Sequence, residues 1–390
     1  MRRHWLLALT ILVPATHAQS FHRLRTASGE PTRTSAGGVT LAGNRVFGGV
    51  NGVSGDAAYW EVTSSGDPIA HVLPRRTYVH TASADGSWLI GHLNPPIDGL
   101  PRAWRCSPNE TCEDLSPPER VEELTLNTTW DCSDDGRAIL GVAMRLNDPE
   151  MYIALLRDGV LISSGITSPR VPILLSGDGR VAYIVGRAAP TAPRGLFKWT
   201  VDGEAVWLRE FDSSIWPVQT SIDGDILYLM IGSQFYRYSD SEGFVAIERC
   251  CPGPILDITR DGRWAVGKES LITYSRPFIW DAVRGVRYLQ DLVPGFGGRL
   301  SIGGETISDD GRVVTGISQG PYGWYVLLPD ELPGADLNED GAENGFDIET
   351  LAGLIAGGPN PRWLPTDFNR DGVADINDLF ALEQVINGGN

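Results

Sequence analysis

The sequence predicts a mainly β fold, a seven-bladed β-propeller followed by a small α-helical domain, and three observations carry that prediction. A short signature built around Asp-Gly recurs along most of the chain. An aromatic residue, usually Trp, follows most copies. The last sixty or so residues abandon that pattern for two Asp-rich loops, each leading into an apolar stripe at helical spacing.

The extreme N-terminus reads as a secretory signal. Arg2 and Arg3 form a basic start, and Trp5 to Val13 is an apolar stretch too short to span a bilayer. Thr16-His17-Ala18 places small residues where a signal peptidase reads, so cleavage is expected after Ala18. The rest of a twin-arginine motif is absent. The expected organisation is a signal peptide over 1–18, a propeller over 19–330 and a helical domain over 331–390. No later stretch is long and apolar enough for a membrane helix.

The repeat is read from Ser83-Ala-Asp85-Gly86, Ser133-Asp-Asp135-Gly136, Ser176-Gly-Asp178-Gly179, Ser221-Ile-Asp223-Gly224, Thr259-Arg-Asp261-Gly262 and Ser308-Asp-Asp310-Gly311. A degenerate first copy runs from Ala42 through Gly43 to Gly49. From Gly43 and then each Asp, the intervals are 42, 50, 43, 45, 38 and 49 residues. Trp60, Trp104, Trp199, Tyr238, Trp280 and Trp324 are the aromatic followers. Asp-Gly suits a type I′ hairpin turn, in which both central residues take positive φ. Runs of Val, Ile, Leu, Trp and Tyr on either side suit strands. A further turn often follows the aromatic strand (Asp158-Gly159, Asp202-Gly203, Glu242-Gly243, Arg284-Gly285), and then another strand, such as Val286 to Leu292. Four strands in roughly 44 residues is the period of a propeller blade. Each blade buries its apolar faces only against its neighbours, so the aromatic position is expected between blades.

The last copy leaves room for three strands after Trp324 to Leu328. Ser20 to Thr26 is therefore expected to supply the missing outer strand and close the ring. Each repeat offers one carboxylate on a tight turn, which is a turn and not a ligand cluster. These repeats resemble the S-x-D-G blades of extracellular bacterial propellers, including HAF repeats, and are similar to TolB-like blades, over roughly residues 36 to 330. The resemblance implies a fold and is silent on activity. Asp and Gly are adjacent here, unlike the sialidase Asp-box.

The C-terminal segment carries two twelve-residue loops. One is Asp336-Leu-Asn338-Glu-Asp340-Gly-Ala342-Glu-Asn344-Gly-Phe-Asp347. The other is Asp367-Phe-Asn369-Arg-Asp371-Gly-Val373-Ala-Asp375-Ile-Asn-Asp378. Oxygen side chains stand at positions 1, 3, 5, 9 and 12, with Gly at 6. That is the register in which an EF-hand loop wraps Ca²⁺, a hard ion that takes six to eight oxygens. The position-7 carbonyls of Ala342 and Val373 complete each set, so two Ca²⁺ ions are expected. From Asp330 to Asn390 there are 13 acidic and 2 basic residues, and cations are the natural counterweight. Ile348, Leu351, Leu354 and Ile355 form one apolar stripe after the first loop. Leu379, Phe380, Leu382, Val385 and Ile386 form the other.

Loop, then helix, twice over, with Asp at position 12, resembles a dockerin over about residues 334 to 388. The resemblance implies docking to a cohesin-like domain of a partner protein, on an assembly concerned with polysaccharide breakdown. It places recognition at loop positions 10 and 11, here Gly345 and Phe346, then Ile376 and Asn377. The hydroxyl residues of the cellulosomal pattern are absent, the two halves differ, and Glu343 replaces the usual apolar residue at position 8.

A formal charge of -17 argues against nucleic acid or anionic lipid as a partner. Five cysteines in a secreted chain read as structural. Cys106 and Cys112 flank a turn and can pair across it. Cys250 and Cys251 can pair with each other, or one of them with Cys132. The four histidines left after signal cleavage, His22, His71, His80 and His92, form no metal-ligand spacing and are assigned to packing or the surface. No G-x-S-x-G, P-loop or dinucleotide motif is present. No catalytic residue is assigned. The expected function is a secreted, calcium-binding protein whose dockerin-like domain tethers a propeller, as a binding or structural module, to an extracellular or cell-surface assembly. Polysaccharide is a further expected partner. The alternative is a glycoside hydrolase or polysaccharide lyase delivered by the same domain. A carboxylate pair about 5–10 Å apart in an open funnel would mark the enzyme.

Overall fold

The computed structural model describes residues 20–29, 34–50, 56–97, 100–107, 111–115, 125–144, 150–167, 173–189, 191–210, 215–247, 251–271, 275–282, 284–293, 296, 303–318, 322–328, 337, 345–356 and 376–386. The expected signal segment, most of both acidic loops and Cys250 lie outside them.

Seven four-stranded antiparallel sheets form, each a meander of consecutive strands except the last in sequence. Blades 1 to 6 span 34–77, 79–114, 125–167, 173–210, 215–246 and 255–288. Blade 7 takes three strands from 303–327 and its fourth from Ser20–Arg23. The first strands of the blades, Thr34–Val39, Val79–Ala82, Thr125–Cys132, Ile173–Leu175, Ile215–Thr220, Ile255–Ile258 and Gly303–Ile307, touch one another in turn around a complete circle. They are the inner strands that wall the central channel. The fold is a closed seven-bladed β-propeller.

Closure follows the expected register. Ser20, Phe21, His22 and Arg23 face Leu327, Val326, Tyr325 and Trp324. Leu24 is fully buried behind them, in a cluster with Val39, Val46, Trp60, Val313 and Tyr325, and so joins blade 7 to blade 1. The His22 ring stacks on Tyr325 at 4.7 Å, and its Nδ1 lies 2.7 Å from the Gly66 carbonyl. The Trp60 indole N–H donates to the Arg25 carbonyl at 2.7 Å.

The aromatic followers are the interblade cement. Trp60, Trp104, Trp199 and Trp324 are fully buried. Trp104 of blade 2 packs with Phe47 and Tyr59 of blade 1, and Trp324 of blade 7 packs with Trp264, Val266 and Ile279 of blade 6.

The Asp-Gly turns depart from the expected type. Among the described residues only Tyr78 and Asp158 are non-glycine residues with positive φ. The Asp of the six repeats therefore does not enter the left-handed region. Gly86, for example, takes φ 71° and its N–H donates to the Ser83 carbonyl at 2.9 Å. Ser83 Oγ donates to Asp85 Oδ1 at 2.8 Å, and the Ser87 N–H meets the same oxygen at 2.8 Å. The result is a four-residue connection built on a type I turn with a left-handed Gly behind it. The Ser and Asp side chains replace the backbone bonds that a tighter turn would make. The first copy does the same with Thr40 and Asn44 in place of Ser and Asp. Type I′ geometry occurs instead at Asp158-Gly159, with φ 50° and 77°.

The signature Gly has a second duty. A Cβ on Gly136 would come 2.9 Å from the Trp88 side chain, and one on Gly311 would come 2.7 Å from Trp264, each in the preceding blade. The strand expected over Val286 to Leu292 stops at Tyr288, where a short helix, α1 (Leu289–Leu292), takes over and buries Leu289. Cys106 and Cys112 are joined across their hairpin. Cys251 is disulfide-bonded and Cys132 is a buried free thiol, so Cys132 is not its partner.

After the propeller come two helices, α2 (Gly345–Ile355) and α3 (Ile376–Ile386). Leu351 and Leu382 are fully buried together with Leu337, and Ile348, Leu354, Ile355, Leu379 and Ile386 pack around them. The two stripes therefore face each other as expected, except at Phe380, which turns outward and is 56 % exposed. The Val385 side chain lies outside the described residues.

Candidate functional site

Two places in the chain concentrate polar chemistry: the starts of α2 and α3, and the propeller channel.

Of the twelve expected calcium ligands, Asp347 and Asp378 are described. Asp336, Asn338, Asp340, Ala342, Asn344, Asp367, Asn369, Asp371, Val373 and Asp375 lie outside the described residues. Asp347 and Asp378 each occupy the third position of their helix, and both are fully buried. Asp347 Oδ1 accepts the Leu337 N–H at 2.6 Å. The carboxylate at the last position of the first expected loop thus reaches back to the residue after its start. Carboxylates are seldom fully buried unless something compensates their charge. Both residues fit a cation-binding role. Among the described residues alone, no group of three or more His, Cys, Asp or Glu side chains converges.

The channel is organised by one position on each inner strand, two residues before the Ser or Thr of the signature. At that position Asp131 Oδ1 accepts the Cys132 N–H at 2.8 Å, and Oδ2 accepts the Leu175 N–H of the next blade at 2.8 Å. Asp257 repeats this with Ile258 at 2.9 Å and Ile307 of the next blade at 3.0 Å. Thr306 Oγ1 accepts the Val39 N–H at 3.1 Å, across the junction of blades 7 and 1. These side chains staple the inner strand of blade 3 to that of blade 4, blade 6 to blade 7 and blade 7 to blade 1. Burial in the channel wall pushes Asp131 up to about 6 and Asp257 up to about 7, although the backbone N–H groups pull the other way.

One layer nearer the turns, Arg260 of blade 6 crosses the channel to form an ion pair with Asp134 of blade 3. Its backbone N–H donates to Asp309 Oδ1 at 3.1 Å. A Cβ on Gly177 would strike the guanidinium at 2.4 Å, so the bare residue between them makes the crossing possible. The channel is thereby barred at the turn-bearing face.

The histidines divide by use. His71 stacks on Tyr59, and His22 belongs to the closure. His80 and His92 are twelve residues apart, yet their rings stack at 4.7 Å. The register explains it: Val79 pairs with Gly91 and Thr81 with Ile90, and His80 is the bulge residue between them. Tyr78, held at φ 48°, covers His92 at 5.2 Å. Trp130, the bulge residue of the next inner strand, lies 5.8 Å from His80 and is 36 % exposed. Burial lowers His80 to about 4, with the nearby His92 adding to it, and burial lowers His92 to about 4. Both rings are neutral at physiological pH. Trp130, Asp131 and Asp257 were not singled out in the sequence. Their only signal is a polar or aromatic residue at a fixed offset before the repeat Ser or Thr.

Two further half-open pockets lie between blades. One of about 580 Å³ is lined by Met230, Phe235, Cys251, Ile255 and Tyr288. The other, about 480 Å³, is lined by Arg105, Glu113, Arg137 and Asp158. Asn127 of the blade 3 inner strand is buried, with its amide bonded to the Pro101 carbonyl and the Met144 N–H.

The fold and its channel define a seven-bladed propeller. No family model matches the chain, and no curated protein matches it. Solved propellers do. An oligogalacturonate lyase in complex with manganese aligns at TM-score 0.53 and 13 % identity, over 80 % of this chain and 97 % of that one. The β-propeller domain of the Trilobed protease from Pyrococcus furiosus, described as having an open velcro topology, aligns at TM-score 0.52 and 13 % identity, over 78 % and 99 %. An oligogalacturonate lyase from Vibrio parahaemolyticus aligns at TM-score 0.50 and 11 % identity, over 80 % and 92 %. At such identities the likeness is one of fold. Here the ring is closed by the N-terminal strand. Among the described residues no helix is long and apolar enough to cross a membrane.

Proposed function

We propose that this is a secreted protein in which a two-calcium, dockerin-like domain tethers the propeller, acting as a binding module, to a protein partner on an extracellular or cell-surface assembly. The observation that carries the reading is the pairing of Asp347 and Asp378, two fully buried carboxylates at the same position of two successive helices. The first ion would be held by Asp336, Asn338, Asp340, Ala342, Asn344 and Asp347. The second would be held by Asp367, Asn369, Asp371, Val373, Asp375 and Asp378. Hard oxygen ligands on short loops supply ordering, not chemistry, and binding energy for the ion then adds to folding energy.

The partner-facing side is supported by exposure. Phe346 is 62 %, Ile376 63 % and Phe380 56 % exposed, on the same two helices. Large apolar groups left in water at this density mark a docking surface. The cohesin-like partner is the occupant that the loop pattern implies. A non-catalytic propeller is supported by the channel. Its carboxylates Asp131 and Asp257 accept backbone N–H groups, and Asp134 is paired to Arg260.

Calorimetric titration of Ca²⁺ into the full mature chain tests the tether. Two ions should bind, and Asp347→Asn and Asp378→Asn should each remove or severely weaken one site. Absence of binding heat, or wild-type titration by both variants, overturns the calcium reading. Capture of a partner from the native culture medium should require Ca²⁺ and should be lost in the Phe346→Ser/Ile376→Ser double variant. Equal capture in chelator overturns the docking reading.

A further inference from the structure

The inner strands of blades 1, 2 and 3 share a one-residue bulge three residues before the signature Ser or Thr but differ in what they present there. In blade 1 this bulge residue is Gly37, in blade 2 His80 and in blade 3 Trp130. A bulge turns its side chain out of the ladder and commonly aims it at a site. The three residues stand on consecutive inner strands that touch in order. Gly37 offers no side chain, His80 an imidazole edge and Trp130 a half-open indole.

The group has features that packing alone does not explain. His80 Nε2 is buried and has no hydrogen-bond partner among the described residues. Leaving such a nitrogen unpaired costs about 1–3 kcal/mol. Tyr78 is held in the left-handed region, which a bulky residue adopts only under constraint. That constraint delivers the Tyr78 ring onto His92, and the Tyr78–His92–His80 stack then fixes the orientation of the His80 edge. Trp130, next to the stack, keeps 36 % of its surface in water although it belongs to an inner strand. A fixed polar edge beside an open aromatic face suits a ring that is apolar on one side and hydroxylated at its rim.

Charge narrows the class. His80 and His92 are neutral at physiological pH, Asp131 adjoins Trp130 in the chain, and the Arg260 guanidinium is committed to Asp134. Among the described residues this group offers an acidic sugar no cation of its own. The parallel imidazoles, 20° apart in plane, hold their lone pairs in separate planes, which suits stacking rather than a shared metal ion.

We propose that the channel wall at Gly37, His80 and Trp130 binds an uncharged saccharide, one sugar ring lying on the Trp130 indole with a hydroxyl bonded to His80 Nε2. The ligand enters from the mouth opposite the Asp-Gly turns, because Arg260 and Asp134 bar the other. This rests on the reading of the propeller as a binding module and names what that module holds.

The test is titration of the full mature chain with neutral oligosaccharides of glucose, xylose, mannose, arabinose and galactose and, in parallel, with oligogalacturonate. At least one neutral glycan should bind with Kd below about 1 mM and quench tryptophan fluorescence. Trp130→Ala should weaken it about tenfold, Trp130→Phe should restore part of the loss, and His80→Phe should weaken binding while leaving the stack. All three should keep the wild-type fluorescence-free melting curve to within a few degrees. No binding by any neutral probe, wild-type binding by Trp130→Ala, or tighter binding of oligogalacturonate overturns the proposal. Assay of the same mixtures for new reducing ends or unsaturated products separates the two readings. Bound glycan that is cleaved sinks the binding-module reading and keeps the site. Failure of every glycan sinks the site and leaves the calcium tether to its own titration.

Discussion

Replacing Leu24 by Ala tests whether the ring is held shut by its N-terminal strand. Leu24 is fully buried, and its cluster draws Val39, Val46 and Trp60 from blade 1 and Val313 and Tyr325 from blade 7. A buried Leu→Ala change costs about 2–5 kcal/mol, the cavity included. For a domain of this length about 1 kcal/mol moves the melting temperature by roughly 2 °C, so Leu24→Ala should melt about 4–10 °C lower. Leu140→Ala in blade 3 is an equally buried control. It should cost a similar amount without touching closure. The distinguishing readout is association. Loss of Ser20–Arg23 from the sheet bares the Tyr322–Leu327 strand as an unpaired edge, and open edges pair between molecules. Deletion of residues 19–28 removes the four facing pairs at about 1 kcal/mol each and the burial of Leu24 at about 2–3 kcal/mol. Their sum is comparable with the whole stability of an ordinary domain. The deletion should therefore melt far lower and form concentration-dependent oligomers in size-exclusion chromatography. An unchanged melting curve with monomeric behaviour would refute the closure argument.

Chelation of calcium from the full chain should reduce the helical circular dichroism signal and leave the β signal of the propeller in place; identical spectra with and without the ion would contradict that. Burial raises the folded-state pKa of Asp257 above its unfolded value, so its contribution to stability is complete below about pH 4 and fades as pH rises through about 7. The gap between wild type and Asp257→Asn, followed by urea denaturation, should therefore shrink from pH 5 to 8, and a constant gap would be the wrong result. The sign is opposite for His80, whose pKa is lowered. The His80→Phe variant should gain on the wild type as pH falls from about 6.5 to about 4. Gly136→Ala places a Cβ at positive φ and 2.9 Å from Trp88. It should destabilise by about 1–3 kcal/mol, whereas Gly159→Ala, which meets nothing within 4 Å, should cost only its backbone strain.

Blade number, strand order and closure were legible because each depends on a local pattern that repeats. Ser, Asp, Gly and a following Trp recur in every blade or nearly so, and the three-strand remainder after Trp324 demands a partner strand. The turn type was misread because Asp-Gly alone favours type I′, while the Ser three residues before the Gly decides otherwise through its hydroxyl. That rule is visible only once Ser83 Oγ is seen on both Asp85 and the Trp88 N–H. The end of the blade 6 outer strand was misplaced because Leu289 and Leu292 are apolar in either conformation. The staples formed by Asp131 and Asp257 were not legible at all. Their partners, Leu175 and Ile307, lie 44 and 50 residues away, and the other blades carry different residues at that position. The His80–His92 stack was hidden for a similar reason. Two histidines twelve residues apart become neighbours only when a bulge sets the register. In the C-terminal domain the inward stripe was legible at Leu351 and Leu382, but the outward turn of Phe380 depends on rotation about α3, which spacing alone leaves open.

Cys132 sits on the inner strand of blade 3, 3 % exposed, next to Asp131 and beside Thr81 of blade 2. Burial, with the Asp131 charge behind it, holds its thiol far above the ordinary range. The thiolate that reacts with labelling reagents is therefore scarce in the folded ring, and access to it is blocked as well. Reaction requires blades 2 and 3 to separate. The propeller thus carries an untagged clock for its own opening: at low reagent the labelling rate reports how often that seam parts, and at saturating reagent it reports how fast. Because the other four cysteines include the Cys106–Cys112 bridge and the bonded Cys251, a mass increment of one label reads a single seam, and the half-life of that increment measures how long the folded ring survives before its first breach.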